Sequence, residues 1–280
     1  MRASRSGFTL VELMVALILF VIVGGAMYRL LNVSQRVSRT QTEKANMQGG
    51  LRTGVQLAVA ELQELWADDV SGASAIVSMT DTELHYNAMR GIGVSCVTPT
   101  TTQLVIRRAT YNGLITPTGA DYDAYLFVEN NEDIEGDDAW LAVNVTGVAN
   151  GVCTDGAAGI QLSLTGVASV AGVQAIAPVR IYELMELGQV TADGRNWLGI
   201  GREGIGEDLQ PLAGPLETNG LDFDYRDDFN APTTNVNNVK TIVLRLFGES
   251  ERSGNTRGVS SQTALIRDTV TVRVHLRNAR

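Results

Sequence analysis

The sequence predicts an α+β protein in which one long N-terminal helix packs on an antiparallel β-sheet. Three observations indicate this fold class. Residues 8–28 are almost entirely apolar, residues 51–65 carry apolar side chains at helical spacing, and several segments after residue 70 alternate apolar and polar residues as strands do. With 280 residues, of which 44% are hydrophobic, the chain is long enough to bury a sizeable core.

The first element is an apolar segment long enough to cross a membrane. Residues 8–28 read FTLVELMVALILFVIVGGAMY and carry a single charge, Glu12. At about 1.5 Å per residue, a helix of this length spans about 30 Å, the thickness of the hydrocarbon core of a bilayer. Arg2 and Arg5 precede it, and basic residues before a first apolar helix tend to stay in the cytoplasm. The rest of the chain is therefore expected to be exported.

Three interpretations of this segment compete: a secretory signal cut after Ala26, a plain signal anchor, and a prepilin. Glu12 distinguishes them. A carboxylate is unfavourable in hydrocarbon, so a carboxylate within an apolar segment usually has a function and a partner. Neither a cleaved signal nor a plain anchor requires one at this position, so Glu12 favours the prepilin.

Residues 7–16, Gly-Phe-Thr-Leu-Val-Glu-Leu-Met-Val-Ala, closely resemble the class III signal of type IV pilins and type II secretion pseudopilins. The resemblance implies that residues 1–7 are a leader peptide, that a prepilin peptidase cuts between Gly7 and Phe8, and that the new N-terminus at Phe8 is N-methylated. Glu12 then takes the family's acidic position. The implied fold is type IV pilin-like, with residues 8–28 as a transmembrane helix that later serves in filament assembly.

Charge placement predicts an assembly role for Glu12. After cleavage, the amine of Phe8 would be a cation near the membrane interface, and Glu12 on a neighbouring helix would pair with it. Because an unpaired charge is unfavourable in hydrocarbon, this pair would favour one axial register between subunits.

The helix is expected to continue beyond the membrane as an amphipathic segment over residues 29–66. The whole helix would then cover about residues 9–66. The first half of this helix is apolar all round and should protrude. The second half should lie on a sheet, because its apolar residues recur along one side and end beside Trp66. Gly24-Gly25 and Gly49-Gly50 are weak points, and two helices broken at Gly49-Gly50 are the alternative. The apolar stripe of the second half consists of Leu51, Val55, Ala58, Leu62 and Leu65.

Residues 67–280 are expected to form a β-rich head domain. The clearest strands are residues 240–247 and 268–277, which alternate apolar and polar side chains and are expected to pair as a hairpin around a polar loop at 248–264. No strong second helix follows residue 70. Further candidate strands are residues 74–79, 84–90, 103–110, 122–129, 139–146, 160–165, 176–187 and 221–226.

The C-terminal part resembles PilW-type minor pilins and also the J-type minor pseudopilin of type II secretion. The length of the chain favours a minor component, because major pilins are usually much shorter. Major pilins also often close a C-terminal disulfide loop, and no cysteine follows Cys153. The segments that carry the resemblance are residues 179–184, 197–202, 209–212, 221–225, 239–246 and 276–278.

Charge and cysteine content limit the partners. The net charge is −9, and all of the 31 acidic residues except Glu12 and Glu43 lie beyond residue 52. An acidic body repels nucleic acid and anionic lipid, so no nucleic-acid partner is expected.

Cys96 and Cys153 lack metal-ligand spacing. Outside the cytoplasm they would form one disulfide, and two unpaired thiols are the alternative.

The sequence predicts no enzyme, no cofactor and no metal site. His85 and His275 lie in strand-like runs, no cysteine pairs with a nearby histidine, and no serine occupies a G-x-S-x-G elbow. Residues 199–204 match G-x-G-x-x-G but lack the helix start that a dinucleotide site requires. Residues 130–138 resemble the start of a calcium loop, but Ala142 stands where a bidentate Glu is required.

The predicted function is that of a minor type IV pilin. Its single span would lie in the inner membrane with a periplasmic head, and its partners would be the prepilin peptidase and other minor and major pilins. It would prime or cap a pilus and reach the cell surface after assembly. A minor pseudopilin of a type II secretion system and a pilus-tip binding or adhesion subunit are the alternatives.

Overall fold

A single long helix packs on one part of an extended antiparallel sheet. The computed structural model describes residues 9–65, 74–113, 116–117, 119, 122–129, 133, 138–255 and 263–276. The helix and the sheet confirm the predicted α+β, type IV pilin-like fold class.

Helix α1 runs without interruption over Leu10–Gln63. The glycine pairs at 24–25 and 49–50 do not break it, so the alternative of two helices is wrong. Its last turn tightens, because the N–H of Glu64 donates to the carbonyl of Glu61 at 3.2 Å. Trp66, where the sequence placed the helix end, lies outside the described residues.

Twelve strands are found in the described residues, together with short 3-10 helices at Arg108–Thr110, Glu203–Ile205 and Val236–Asn238. The strands are β1 Ile76–Met79, β2 Glu83–Val94, β3 Gln103–Arg107, β4 Asn112–Gly113, β5 Asp123–Val128, β6 Ala139–Val152, β7 Ala158–Thr165, β8 Pro178–Ala192, β9 Arg195–Arg202, β10 Gln210–Arg226, β11 Thr241–Asn255 and β12 Thr263–His275.

The strands pair antiparallel in the order β12-β11-β10-β9-β8-β5-β6-β7-β3. Strand β8 is central, because it lies against β2 along one edge and against β5 and β9 along the other. Strands β1 and β4 complete the sheet by pairing with β2.

The predicted C-terminal hairpin forms between β11 and β12, with Ile242 opposite Val274. It is longer than expected, because polar residues that the sequence assigned to a loop also pair. Glu249 lies opposite Arg267 across the two strands, and the Arg267 guanidinium contacts the Glu249 carboxylate at 3.1 Å. Opposite charges on facing strands stabilise a pair, which is why a polar sequence extends the hairpin here.

The second half of α1 packs on strands β10, β11 and β12. The predicted apolar stripe is confirmed, since each of its members is buried and Leu51, Ala58 and Leu62 are fully inaccessible. Met47 is the first buried residue of the helix, so docking to the head begins there. The members of the stripe and Met47 share one hydrophobic cluster with β2, β10 and β11.

Glycine permits a close approach of α1 to the sheet at two places. A Cβ on Gly54 would overlap the Ala213 side chain of β10 and lie 3.0 Å from the Leu212 carbonyl oxygen. A Cβ on Gly248 of β11 would collide with the Leu51 side chain. The helix axis therefore sits closer to the strands than any larger residue at these positions would allow.

Gly54→Ala is expected to destabilise the docked head. Overpacking costs about 1–3 kcal/mol, which exceeds the gain of up to about 1 kcal/mol in helix propensity. The matched control is Gly49→Ala in the same helix, because a Cβ there meets nothing within 4 Å. Thermal unfolding of the full chain in detergent should show a lower Tm for Gly54→Ala and an equal or higher Tm for Gly49→Ala. Equal shifts in both variants would contradict the close packing.

A second hydrophobic core is formed by side chains from strands β3, β5, β6, β7 and β8. It includes Leu104, Ile106, Leu126, Ile160, Leu162 and Ile181, all nearly inaccessible. At its margin, a disulfide joins Cys96, after β2, to Cys153, in the β6–β7 turn. Both sulfurs are buried beside Val105 of β3. The disulfide thus ties the β6–β7 hairpin to the central sheet.

Candidate assembly site

The site predicted from the sequence is the N-terminal end of α1. Gly7 and Phe8, the predicted cleavage and methylation residues, lie outside the described residues. Thr9 is the first described residue and caps the helix with an extended backbone. The geometry of the site therefore begins one residue after the predicted new N-terminus.

Thr9 and Glu12 form a reciprocal capping box. The Thr9 main-chain N–H donates to Glu12 Oε2 at 2.9 Å, the Thr9 hydroxyl donates to the same oxygen at 3.0 Å, and the Glu12 N–H donates to Thr9 Oγ1 at 3.3 Å. These bonds satisfy two N–H groups that a helix start leaves without intrahelical partners. The sequence reasoning missed Thr9, although the threonine-to-glutamate spacing is the sequence signature of a capping box.

The capping box uses Oε2 of the Glu12 carboxylate and leaves Oε1 available for a further hydrogen bond. All the hydrogen bonds that the carboxylate accepts within the described residues reach Oε2, and the side chain points outward from an exposed helix. Oε1 is thus oriented by the cap and can accept a hydrogen bond from a cationic group on another molecule.

The apolar residues that follow Glu12 are exposed around the whole helix. Leu10 is 76% exposed and Phe20 is 75% exposed, and every large apolar residue from Leu10 to Val37 is at least 44% exposed. An apolar surface of this extent is not stable in water and requires lipid or other helices around it. Within the described residues, α1 is the one helix long and apolar enough to cross a membrane.

The exposed segment and the part of the helix that packs on the head form one uninterrupted helix. Between Leu10 and Met47 the helix rises about 55 Å at 1.5 Å per residue, with no buried residue before Met47. The apolar segment therefore protrudes well beyond the head.

An ion-pair network fastens the other end of α1 to the sheet. Arg90 of β2 donates to Glu183 of β8 at 2.9 Å and to Glu61 of α1 at 3.2 Å. Arg202 of β9 pairs with the second oxygen of Glu183 and donates to the hydroxyl of Tyr122 at 3.4 Å. Glu183 is only 4% exposed, and each of its carboxylate oxygens is paired with a guanidinium group. The two arginines therefore compensate the charge of a buried carboxylate.

The network holds Arg90 in its charged form. Burial alone would lower the pKa of Arg90, but the hydrogen bond to Glu183 and the charge of Glu61 outweigh burial and raise it. Nearby, burial raises the pKa of Tyr86, and the charge of Glu61 raises it further. The Tyr86 hydroxyl is buried and has no hydrogen-bond partner among the described residues.

The two histidines do not form a catalytic arrangement. His85 Nδ1 lies 2.7 Å from Glu203 Oε2, and His275 Nδ1 lies 2.8 Å from Thr241 Oγ1. In the part of the chain that the structure describes, no cluster of three or more His, Cys, Asp or Glu side chains is placed to bind a metal. Residues 199–204 form the end of β9 and the start of a 3-10 helix of three residues, which offers no dinucleotide cradle.

The exposed apolar helix, its capped glutamate and the sheet-bound second half define a protein anchored in a membrane by a single N-terminal helix. Residues 2–28 match the family model described as the prokaryotic N-terminal methylation motif, and this match supports a type IV prepilin-like precursor. No curated protein and no solved structure matches the chain.

Proposed function

We propose that this chain is a minor type IV pilin. In this proposal the prepilin peptidase cuts between Gly7 and Phe8, the amine of Phe8 is methylated, and the mature subunit joins a pilus or primes its assembly. The observation that carries the proposal is the exposed apolar helix with Glu12 near its start, which continues unbroken into a folded head.

Assembly would exchange lipid contacts of the apolar segment for contacts with the same segment of other subunits. Such head-to-tail contacts do not close on themselves, so they propagate as a filament. Within this bundle, Glu12 Oε1 would accept a hydrogen bond from the Phe8 ammonium of a neighbouring subunit, while Oε2 remains bound to Thr9. The charge pair would select one axial register, because any other register leaves both charges unpaired among apolar side chains.

The long head favours a minor rather than a major subunit. Its strands contribute side chains to two separate hydrophobic cores. Its disulfide joins Cys96 to Cys153 and does not close a C-terminal loop. A minor pseudopilin of type II secretion is the second candidate, since residues 179–184 and 239–246 resemble both families. An adhesive tip role would add ligand binding by the head to either candidate.

Mass spectrometry of the N-terminus tests the processing step. The mature chain isolated from membranes that contain an active prepilin peptidase should begin at a methylated Phe8. Gly7→Ala should leave the leader attached, and Gly24→Leu, which puts a bulky residue at the −3 position of the competing secretory cleavage site, should leave processing unchanged. A mature N-terminus at Met27 would instead identify an ordinary secretory signal and would refute the proposal.

A further inference from the structure

A rigid turn between β10 and β11 presents a phenylalanine to solvent. Phe229 is 91% exposed, more than any other large apolar residue described. Asp227 Oδ1 accepts the N–H of Phe229 at 2.9 Å and the N–H of Ala231 at 2.8 Å. Arg226 donates to the Asn230 carbonyl at 3.0 Å, and Asn230 takes a left-handed conformation at φ 58°. The turn is therefore fixed before any partner arrives.

Single exposed apolar side chains are common on protein surfaces, but this one has features of a binding anchor. An aromatic ring on a preorganised turn loses little conformational entropy on binding, and aromatic residues in desolvated pockets dominate interface energies. Asp227 and Asp228 directly precede the ring; Asp228 is exposed, and Asp227 is half-buried. The anchor is consequently an aromatic ring beside two carboxylates.

The turn lies at the end of the head opposite the protruding apolar helix. Gly248 of β11 is next to Leu51 of α1, and further along the same strand Glu251 lines a pocket with Glu43. β11 thus runs toward the apolar end of α1, and its start at Thr241 lies toward the C-terminal end of the helix. Arg226 pairs with Thr241, so the turn that follows Arg226 is also at that far end.

A second copy of this chain is a poor partner for the anchor, because the net charge is −9 and all of the 31 acidic residues except Glu12 and Glu43 lie beyond residue 52. Three of the pockets on the described surface are also lined with carboxylates, which would repel Asp227 and Asp228. In the pocket beside the turn, the one lining guanidinium, Arg245, is already bound by Asp222 and Asp224. The acidic lining residues are Glu186, Glu203, Glu207 and Asp208 in one pocket, Asp81, Asp222 and Asp224 in the next, and Glu43 and Glu251 in the third.

We propose that Phe229 anchors a different protein, whose apolar pocket receives the ring and whose rim carries lysine or arginine residues that face Asp227 and Asp228. The inference concerns the head alone and does not depend on the assembly role of α1. It predicts a contact at the end of the molecule that would face away from the membrane.

Site-specific photocrosslinking in the full chain tests this partner. A benzophenone amino acid replaces Phe229 in membranes of the source cells, and the same probe at Ile176, which is 75% exposed, is the matched control. The probe at 229 should give one protein adduct that the probe at 176 does not give, and the crosslinked peptide should contain lysine or arginine. Adding Asp228→Lys should lower the yield of this adduct at least about fivefold by reversing a rim charge.

Four outcomes would overturn the proposal: adducts with lipid only, adducts with a second copy, a yield at 229 no greater than at 176, or an adduct unaffected by Asp228→Lys. Misfolding is checked separately by the Tm, which Asp228→Lys should leave unchanged because Asp228 is exposed. Cleavage and methylation at Phe8, measured in the same samples, report on the assembly role independently.

Discussion

Glu12→Ala is expected to reduce incorporation of the subunit into filaments by at least about tenfold, because it would remove one member of the charge pair proposed between Glu12 and the Phe8 amine of a neighbouring subunit. The neighbouring Phe8 ammonium would then be left unpaired in hydrocarbon, and no axial register would be preferred. The head should be unaffected, since the first buried residue of α1, Met47, lies far along the helix. The measurement is the ratio of this subunit in sheared filaments to that remaining in membranes, with the Tm of the purified chain as the folding check.

Three variants separate the charge of Glu12 from its capping role. Glu12→Gln keeps an acceptor for the Thr9 N–H without the charge, so it should assemble as poorly as Glu12→Ala. Thr9→Val removes the hydroxyl but keeps the carboxylate, and should have a much smaller effect, since an N-cap contributes only about 1 kcal/mol. Glu43→Ala removes an acid from the same helix beyond the apolar segment and should assemble normally. Normal incorporation of Glu12→Gln would show that the charge pair is not required.

The parts of this fold that the sequence predicts are those set by local periodicity. The stripe from Leu51 to Leu65 identified the buried face of α1, and the alternation over residues 268–277 identified β12. In both cases the spacing of apolar side chains directly reflects which side meets the core. The capping box of Thr9 and Glu12 was equally local and could have been found in the sequence by the same means.

The remaining parts depend on contacts between distant residues. Gly54 has no signal of its own in the sequence, because its role comes from Ala213 on a strand far along the chain. The polar stretch after Phe247 has the composition of a loop, yet it forms a strand because its backbone pairs with β12, where Glu249 also lies opposite Arg267. Long-range pairing of this kind overrides local propensity, so a single sequence does not determine it.

Glu183 shows both the promise and the limit of sequence reasoning. It follows Val179, Ile181 and Tyr182 in a strand-like run, where an acid on the buried face would require a partner. The sequence could have signalled that a buried carboxylate needs cations. The sequence does not show that these cations are Arg90 and Arg202, because the two arginines lie on other strands, one on either side of β8.

Arg90→Met is expected to be among the most destabilising single substitutions in the head. It leaves Glu183 buried with Arg202 as its one guanidinium partner and detaches Glu61 of α1 from the sheet. Removing one partner of a buried ion pair typically costs about 3–5 kcal/mol, because the remaining charge is desolvated without compensation. For a domain of this size the Tm should fall by on the order of 10 °C.

The double variant Arg90→Met with Glu183→Leu provides the decisive comparison. Replacing a whole buried ion pair with apolar residues is often close to neutral, so the double variant should be more stable than Arg90→Met alone despite carrying one more substitution. Arg202 can remain solvated in it, since its side chain is 32% exposed. Tyr86→Phe is the matched control in the same core, and it should leave the Tm unchanged or raise it, because the buried hydroxyl has no partner among the described residues to lose. Strictly additive losses in the double variant would show that Arg90 acts through packing and not through the charge of Glu183.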